Sequence, residues 1–397
     1  MNYLSDRINN LTESATLAMA RKSRELTAKG LNIINLSLGE PDFNTPDFIK
    51  EAAKKALDEN FTKYTPVNGY QDLREAISLK FKRDNHLDYS PDQIIVSTGA
   101  KQSIANVVMS LVNPGDEVVI PTPFWVSYEE MVKLAEGKCV FIKTDISSDF
   151  KITREQLEKA VTPKTKLMIF STPCNPTGSV YTKEELGAIA EIMEKNPQLH
   201  VIADEIYEHI SFVGKHESLA QFESIRDRVI TVNGVSKGYA MTGWRIGFIG
   251  ASKAIAEACN KMQGQITSGT CSIAQKAAKA AVLADPALTI PMREAFLRRR
   301  DLVLSLLKEI PGIQANVPGG AFYVFPVVKS YFGKSYNGKT INDADELCLF
   351  LLEEGQLALV TGAAFGEPDC IRISYATSDD VLREAMKRLK ETLAKLS

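Results

Sequence analysis

Lys237 stands between Ser236 and Gly238, and Arg245 follows it by eight residues. A serine hydroxyl and a planar guanidinium together can grip a phosphate. A lysine amine beside such a grip suits a phosphorylated aldehyde, because amine and aldehyde condense to a Schiff base. A lone loop lysine is otherwise just a solvated side chain. Lys237 differs because it follows the apolar run Val229 to Val232, at the edge of a sheet where α/β proteins bind ligands.

Three further segments could serve the same chemistry. His200-Val201-Ile202-Ala203-Asp204-Glu205-Ile206-Tyr207 reads as a buried strand ending in an acid, with a tyrosine three residues on. Asp204 in isolation reads equally as a helix N-cap. As a buried anion it would instead keep a ring nitrogen protonated. Asn175 lies in the proline-rich turn Ser171-Thr172-Pro173-Cys174-Asn175-Pro176-Thr177-Gly178; such a turn is rigid whether or not it binds anything. Ser97-Thr98-Gly99-Ala100-Lys101 joins a strand to a helix start, where bare N–H groups and the helix dipole favour an anion.

These residues need a scaffold. Ile94 to Val96, Val118 to Ile120, Val140 to Ile142, Leu167 to Phe170, Val201 to Ala203 and Val229 to Ile230 are short, almost wholly apolar runs. Continuous hydrophobicity of this kind marks strands of a parallel sheet buried on both faces. Helical patterns at 101–112, 182–195 and 252–262 alternate with them, so the expected fold is α/β with a mostly parallel central sheet. After about residue 291 the texture changes to a basic helical pattern (292–309), another helix (343–354) and a strand from Ile371 to Tyr375, a smaller α+β domain. Arg298-Arg299-Arg300 reads as a solvated helix face. In the last strand Ile371, Ile373 and Tyr375 alternate with Arg372, which therefore points away from the apolar face. By itself this fits a surface arginine on an edge strand as well as a binding residue.

Bulk properties narrow the classes. The chain has 397 residues, 44% hydrophobic and 24% charged, enough for two domains and a large core. A net charge of −2 advertises neither nucleic acid nor an anionic membrane. Six cysteines without C-x-x-C and four histidines without H-x-x-x-H point away from metal, and scattered cysteines suit a reducing compartment. No apolar run has the length of a signal peptide or a membrane span, so the expected location is the cytoplasm.

Taken in order, Asn175-Pro176-Thr177-Gly178, Asp204-Glu205-Ile206-Tyr207, Ser236-Lys237 and Gly243-Trp244-Arg245-Ile246-Gly247 resemble the fold-type I class I/II aminotransferases. Leu38-Gly39-Glu40-Pro41-Asp42-Phe43, Tyr64-Thr65-Pro66 with Gly69 and Leu73-Arg74, and Arg372-Ile373-Ser374 extend the likeness nearly end to end. Within the family the chain is most similar to bacterial aspartate aminotransferases of the Iβ (Ib) subgroup.

The resemblance implies a fold-type I transferase with an arm at 1–45, a large domain at 46–290 and a small domain at 291–397. It implies pyridoxal 5′-phosphate (PLP) on Lys237, which would also shuttle the proton in a ping-pong reaction. Asp204 would hold the pyridinium; Tyr207 and Asn175 would bond the 3-oxygen; Trp125 would stack on the ring. Gly99, Ala100, Lys101, Ser236 and Arg245 would surround the phosphate, with Tyr64 reaching the phosphate of a neighbouring subunit in a homodimer. Arg372 and the backbone of Gly39 would take the α-carboxylate. Lys101, Ser14 and Thr16 would clamp a second carboxylate, favouring aspartate with 2-oxoglutarate. The match departs at Thr12, where close relatives can carry a lysine near the N-terminal arm. Aromatic or neutral donors, a β-lyase or an aminocyclopropane-carboxylate-type synthase share these motifs. A non-enzymatic binding module is opposed by retention of every catalytic residue type.

Overall fold

The structure, a computed structural model, describes residues 3–397. Residues 1 and 2 of the expected arm lie outside it. The apolar runs form a seven-stranded sheet. Across it the strands run Ile94–Ser97, Gly247–Gly250, Val229–Gly234, His200–Asp204, Thr165–Ser171, Glu117–Pro121 and Lys138–Ile142. All neighbours are parallel except where Gly247–Gly250 pairs antiparallel with both of its neighbours.

Both faces are covered over the middle of the sheet, which is why its central strands are apolar along most of their length. Val119, Met168, Val201 and Ala203 pack into one core layer. Their neighbours Val118, Leu167, Ile202 and Ile230 pack into the other. The helices are set by local signals. Lys183–Lys195 starts at a capping box in which Thr182 and Glu185 satisfy each other's backbone N–H groups. Ala344–Gly355 starts at Asp343, which accepts from the Glu346 N–H.

The C-terminal part builds its own core around Phe296, Val303, Leu347, Leu351, Ile371, Ile373 and Leu389. Its three-stranded antiparallel sheet has Ile371–Ser374 in the middle, between Val360–Thr361 and Tyr323–Val324. The N-terminal strand Ile34–Asn35 pairs with Leu357–Ala358, tying residues before 46 to this part of the molecule.

Four features depart from the sequence reading. Gly247–Gly250 is a strand inside the sheet, although its two glycines hid it. Lys138–Ile142 lies at the sheet edge with only Ile142 buried, so it is not the fully covered strand its hydrophobicity suggested. Arg372 is on a central strand and is 2% exposed, which removes the surface-arginine alternative. Arg298-Arg299-Arg300 is not one solvated face: Arg299 is buried and makes a two-pronged pair with Asp42 at 2.7 and 2.9 Å. That pair fastens the helix Ile290–Leu307 to the segment containing Gly39.

Candidate active site

The carboxyl ends of the parallel strands converge on one cavity of about 350 Å³. Asp204 ends its strand, Asn175 follows Thr165–Ser171, Trp125 follows Glu117–Pro121, and Lys237 follows Val229–Gly234. Ligands are expected at this edge of an α/β sheet, because the turns there carry variable side chains on a rigid base. The C-terminal part contributes Tyr323 and Arg372 to the same wall.

Asp204 is fully enclosed. Its Oδ2 accepts from the Tyr128 hydroxyl at 2.7 Å, and its Oδ1 accepts from the Ile206 N–H at 3.3 Å. Burial pushes its carboxyl up to about 6, against the pull of these donors and of Lys237. Among the described residues Asp204 has no ion-pair partner. A protonated ring nitrogen would supply the missing positive charge.

The Lys237 amine donates to the Gly39 carbonyl and lies 5.6 Å from the ring centre of Tyr207 and 5.7 Å from that of Phe322. Burial, helped by the positive charge of Arg372, lowers its pKa to about 8. An amine so tuned is partly neutral near physiological pH, as a nucleophile or base must be.

Arg372 donates from Nη1 to the Asn175 side-chain Oδ1 at 2.9 Å and from Nη2 to the Ser37 backbone carbonyl at 2.6 Å. Its Nε is buried without a hydrogen-bond partner. The guanidinium lies between the rings of Tyr323 (4.6 Å) and Phe365 (4.9 Å), which orient it. Asn175 thereby spends its oxygen on Arg372 and keeps its amide nitrogen to donate. The Tyr207 hydroxyl is 2.9 Å from that of Tyr323.

A cradle for an anion forms where Ala100–Leu111 begins. Gly99 has φ +82°, and a Cβ there would lie 2.3 Å from the Arg245 guanidinium. A Cβ at Gly247 would strike the Ala100 backbone nitrogen at 2.1 Å. Glycine at both positions lets strand end, helix start and Arg245 crowd together, with buried Ser236 in the same cavity. Lys101 keeps its ammonium at the cavity mouth, 5.0 Å from the Trp125 ring centre. Its pKa is lowered, first by the surrounding protein and then by Arg245. Ser14 and Thr16 reach the same cavity from the N-terminal arm.

Of the site residues singled out from sequence, Gly99 stands in the cradle outside the cavity lining, and Tyr64 is outside the lining and fully exposed. Sequence reasoning missed Tyr128 and Tyr323. Tyr128 sits one helical turn beyond Trp125, and Tyr323 follows Gly319-Gly320-Ala321-Phe322; either spacing offered a signal, but neither named a partner.

The family profile for aminotransferases of class I and II matches residues 32–389. The chain belongs to this family. It is 48% identical, over the full length of both chains, to an aspartate/prephenate aminotransferase of Cereibacter sphaeroides. Its fold matches the aspartate aminotransferase of Rhizobium meliloti with a TM-score of 0.96 at 40% identity, covering both chains completely. The Thermus thermophilus aspartate aminotransferase with maleate matches at a TM-score of 0.93 and 38% identity, over 99% of this chain and 100% of that one. The fold is therefore fold-type I, and the protein is a PLP-dependent aminotransferase. The cavity fits that cofactor on its own chemistry: an unneutralised buried carboxylate, a tuned amine and an anion cradle occupy one space.

Proposed function

We propose that this aminotransferase exchanges the amino group between L-aspartate and 2-oxoglutarate, giving oxaloacetate and L-glutamate. The observation that carries the reading is a pair of cations in one cavity, Arg372 buried in the wall and Lys101 at the mouth. Arg372 presents a planar fork for the α-carboxylate, and the Gly39 backbone approaches the same group. Lys101, with the hydroxyls of Ser14 and Thr16, takes the distal carboxylate. The names of the relatives, and the dicarboxylate maleate with the Thermus enzyme, support an acidic substrate.

Bound PLP supplies an aldehyde and an electron-withdrawing ring. Gly99, Ala100, Ser236 and Arg245 would hold its phosphate, Asp204 its ring nitrogen, and Tyr207 and Asn175 its 3-oxygen, with Trp125 against the ring. Lys237 would hold the aldehyde, and its Nζ, when free, would take and give back the proton of the substrate's α-carbon. Its lowered pKa keeps a neutral amine available for that transfer. Tyr128 fixes the Asp204 carboxylate in place.

The arm at 1–45, the large domain at 46–290 and the small domain at 291–397 are the division we propose, supported by two cores drawn wholly from residues 49–282 and a third drawn mainly from residues 292–396. Tyr64 is fully exposed, as suits a residue that completes the neighbouring subunit's phosphate site in a homodimer. Among the described residues no helix is long and apolar enough to cross a membrane. The cytoplasm is the expected compartment, in keeping with six cysteines that form no disulfide. A bulkier ring substrate is a second reading, favoured by Leu17 and Trp125 in the cavity lining and by prephenate in the relative's name.

An amino-donor panel with 2-oxoglutarate tests the assignment. Oxaloacetate and glutamate formed from aspartate support it. Ammonia and pyruvate released from a donor with a β-leaving group, such as cysteine, without consumption of 2-oxoglutarate would mean a β-lyase, and a preference for neutral donors would reject the acidic clamp. Borohydride should fix PLP to Lys237 and to no other lysine.

A further inference from the structure

Asp204 and Tyr207 face the cavity, but Glu205 and Glu208 of the same turn point into the protein. There they meet a buried polar cluster that the reaction as described does not use. Lys80, 2% exposed at the end of the helix Gln71–Lys80, pairs with Glu208 and donates to the Asn85 side chain at 2.7 Å. Asn85 closes this ring by donating to Glu208 at 2.7 Å. On the other side the Ser218 hydroxyl donates to Glu205 at 2.6 Å, and His216 Nε2 lies 3.0 Å from the same carboxylate. His209 Nε2 stands 3.2 Å from Glu208.

Burying two carboxylates this close is unfavourable unless cations and donors surround them. Lys80, with His209 and His216, outweighs burial and holds the Glu208 carboxyl down at about 2. Burial disfavours the His216 cation, yet Glu205 overrides it and raises its pKa. The cluster has the donor types of a metal site, but the Lys80 ammonium already stands where a cation would be held.

The cluster also reaches the lysine turn. A Cβ at Gly238, next to Lys237, would lie 2.6 Å from the His209 ring, and the Tyr239 ring packs edge-on to His209 at 5.3 Å. Beyond it, Ile210 accepts from the Ala321 N–H at 2.8 Å, and the Phe212 N–H donates to Gly319 at 2.7 Å, so the same segment leads into Phe322 and Tyr323.

We propose that this Lys80–Glu208–Asn85 and Glu205–His216–Ser218 network is a positioning device that sets the relative placement of Asp204, Tyr207 and Lys237 from beneath. The proposal rests on the assignment of those three residues to the cofactor. Glu205, Glu208 and His209 are positioning residues: each acts through the turn it braces and touches no reacting atom.

The test uses the PLP-loaded wild type, Glu208→Gln and Ser218→Ala. Each protein is followed by the pH titration of its visible absorbance, by kcat and KM, by PLP affinity in equilibrium dialysis, and by thermal unfolding. In the variants the absorbance midpoint should move by about half a pH unit or more. We expect kcat to fall about 10- to 100-fold, with KM for aspartate nearly unchanged because Arg372 lies outside the network. Should Glu208→Gln not fold, Ser218→Ala removes a single hydroxyl and carries the same test. Folded variants with a wild-type titration and wild-type kcat would overturn the proposal, leaving only a structural role. So would a change in wild-type activity on chelation or on adding zinc alone, which would make the cluster a metal site. A wild-type protein with no borohydride-reducible band fails the cofactor assignment itself; a normal wild-type band with unmoved variants fails the network alone.

Discussion

The hydroxyls of Tyr207 and Tyr323 share a hydrogen bond of 2.9 Å inside a wall that also holds Arg372, whose guanidinium lies 4.6 Å from the Tyr323 ring centre. Tyr323 comes from the C-terminal antiparallel sheet and Tyr207 from the turn after a central strand of the seven-stranded sheet. The pair thus links the residue assigned to the cofactor oxygen with the residue assigned to the substrate carboxylate. A Cβ at Gly39 would lie 2.4 Å from the Tyr323 hydroxyl, so the third element of the carboxylate site also abuts this pair.

Tyr323→Phe removes one hydroxyl and leaves the ring under Arg372. The Tyr207 hydroxyl then loses a buried partner, which costs about 1 kcal/mol of stability. Turnover should fall about tenfold, with a shift in the visible absorbance titration, because Tyr207 is no longer held toward the ring. A variant with unchanged spectrum and kcat would show that the hydroxyl pair only fills space.

Asp204→Asn should separate stability from function. Burial raises the Asp204 carboxyl to about 6 from its ordinary 3.8, so the folded apoprotein binds more protons than the unfolded chain between these values. Stability of the apoprotein therefore falls as pH rises from about 4 to 6 and stays lowered above that. The neutral amide avoids this, so apo Asp204→Asn should melt higher than wild type at pH 7.5, by an equivalent of about 1–3 kcal/mol. The gain should vanish near pH 4, while PLP-dependent turnover collapses at every pH. Melting curves at the two pH values, without cofactor, decide it.

Gly99→Ala places a methyl group against Arg245 and forces a side chain onto φ +82°. The backbone strain costs about 1–2 kcal/mol, and the displaced guanidinium loosens the anion cradle. PLP dissociation should weaken at least about tenfold, with the substrate KM less affected. Equilibrium dialysis of PLP against the variant measures this directly.

Lys101→Ala and Arg372→Lys distinguish the two carboxylate clamps. Loss of Lys101 should reduce kcat/KM for aspartate about 10- to 100-fold more than for alanine. Arg372→Lys should damage both donors alike, because a point charge cannot replace the two-pronged fork. Equal losses for aspartate and alanine in Lys101→Ala would remove Lys101 from the substrate site.

The sequence by itself determined the α/β class and the strand ends beside which Lys237, Asp204 and Asn175 stand, whereas the roles expected of these residues and of Arg245 and Arg372 came from the resemblance to the family. The strand ends were legible because buried parallel strands are apolar along most of their length, and their end turns are marked by glycine, proline or an acid. Only the tertiary structure decided that Arg372 is buried between Tyr323 and Phe365, that Tyr128 holds Asp204, and that Arg299 grips Asp42. Apart from Phe365, which is near Arg372 in sequence, each of those partners is distant in the chain. Local periodicity records which way a side chain points along its own element, but not what a distant element brings to meet it. The buried Lys80–Glu208 pair is the clearest case: the two residues are distant in the chain, and only the fold brings them together and covers them.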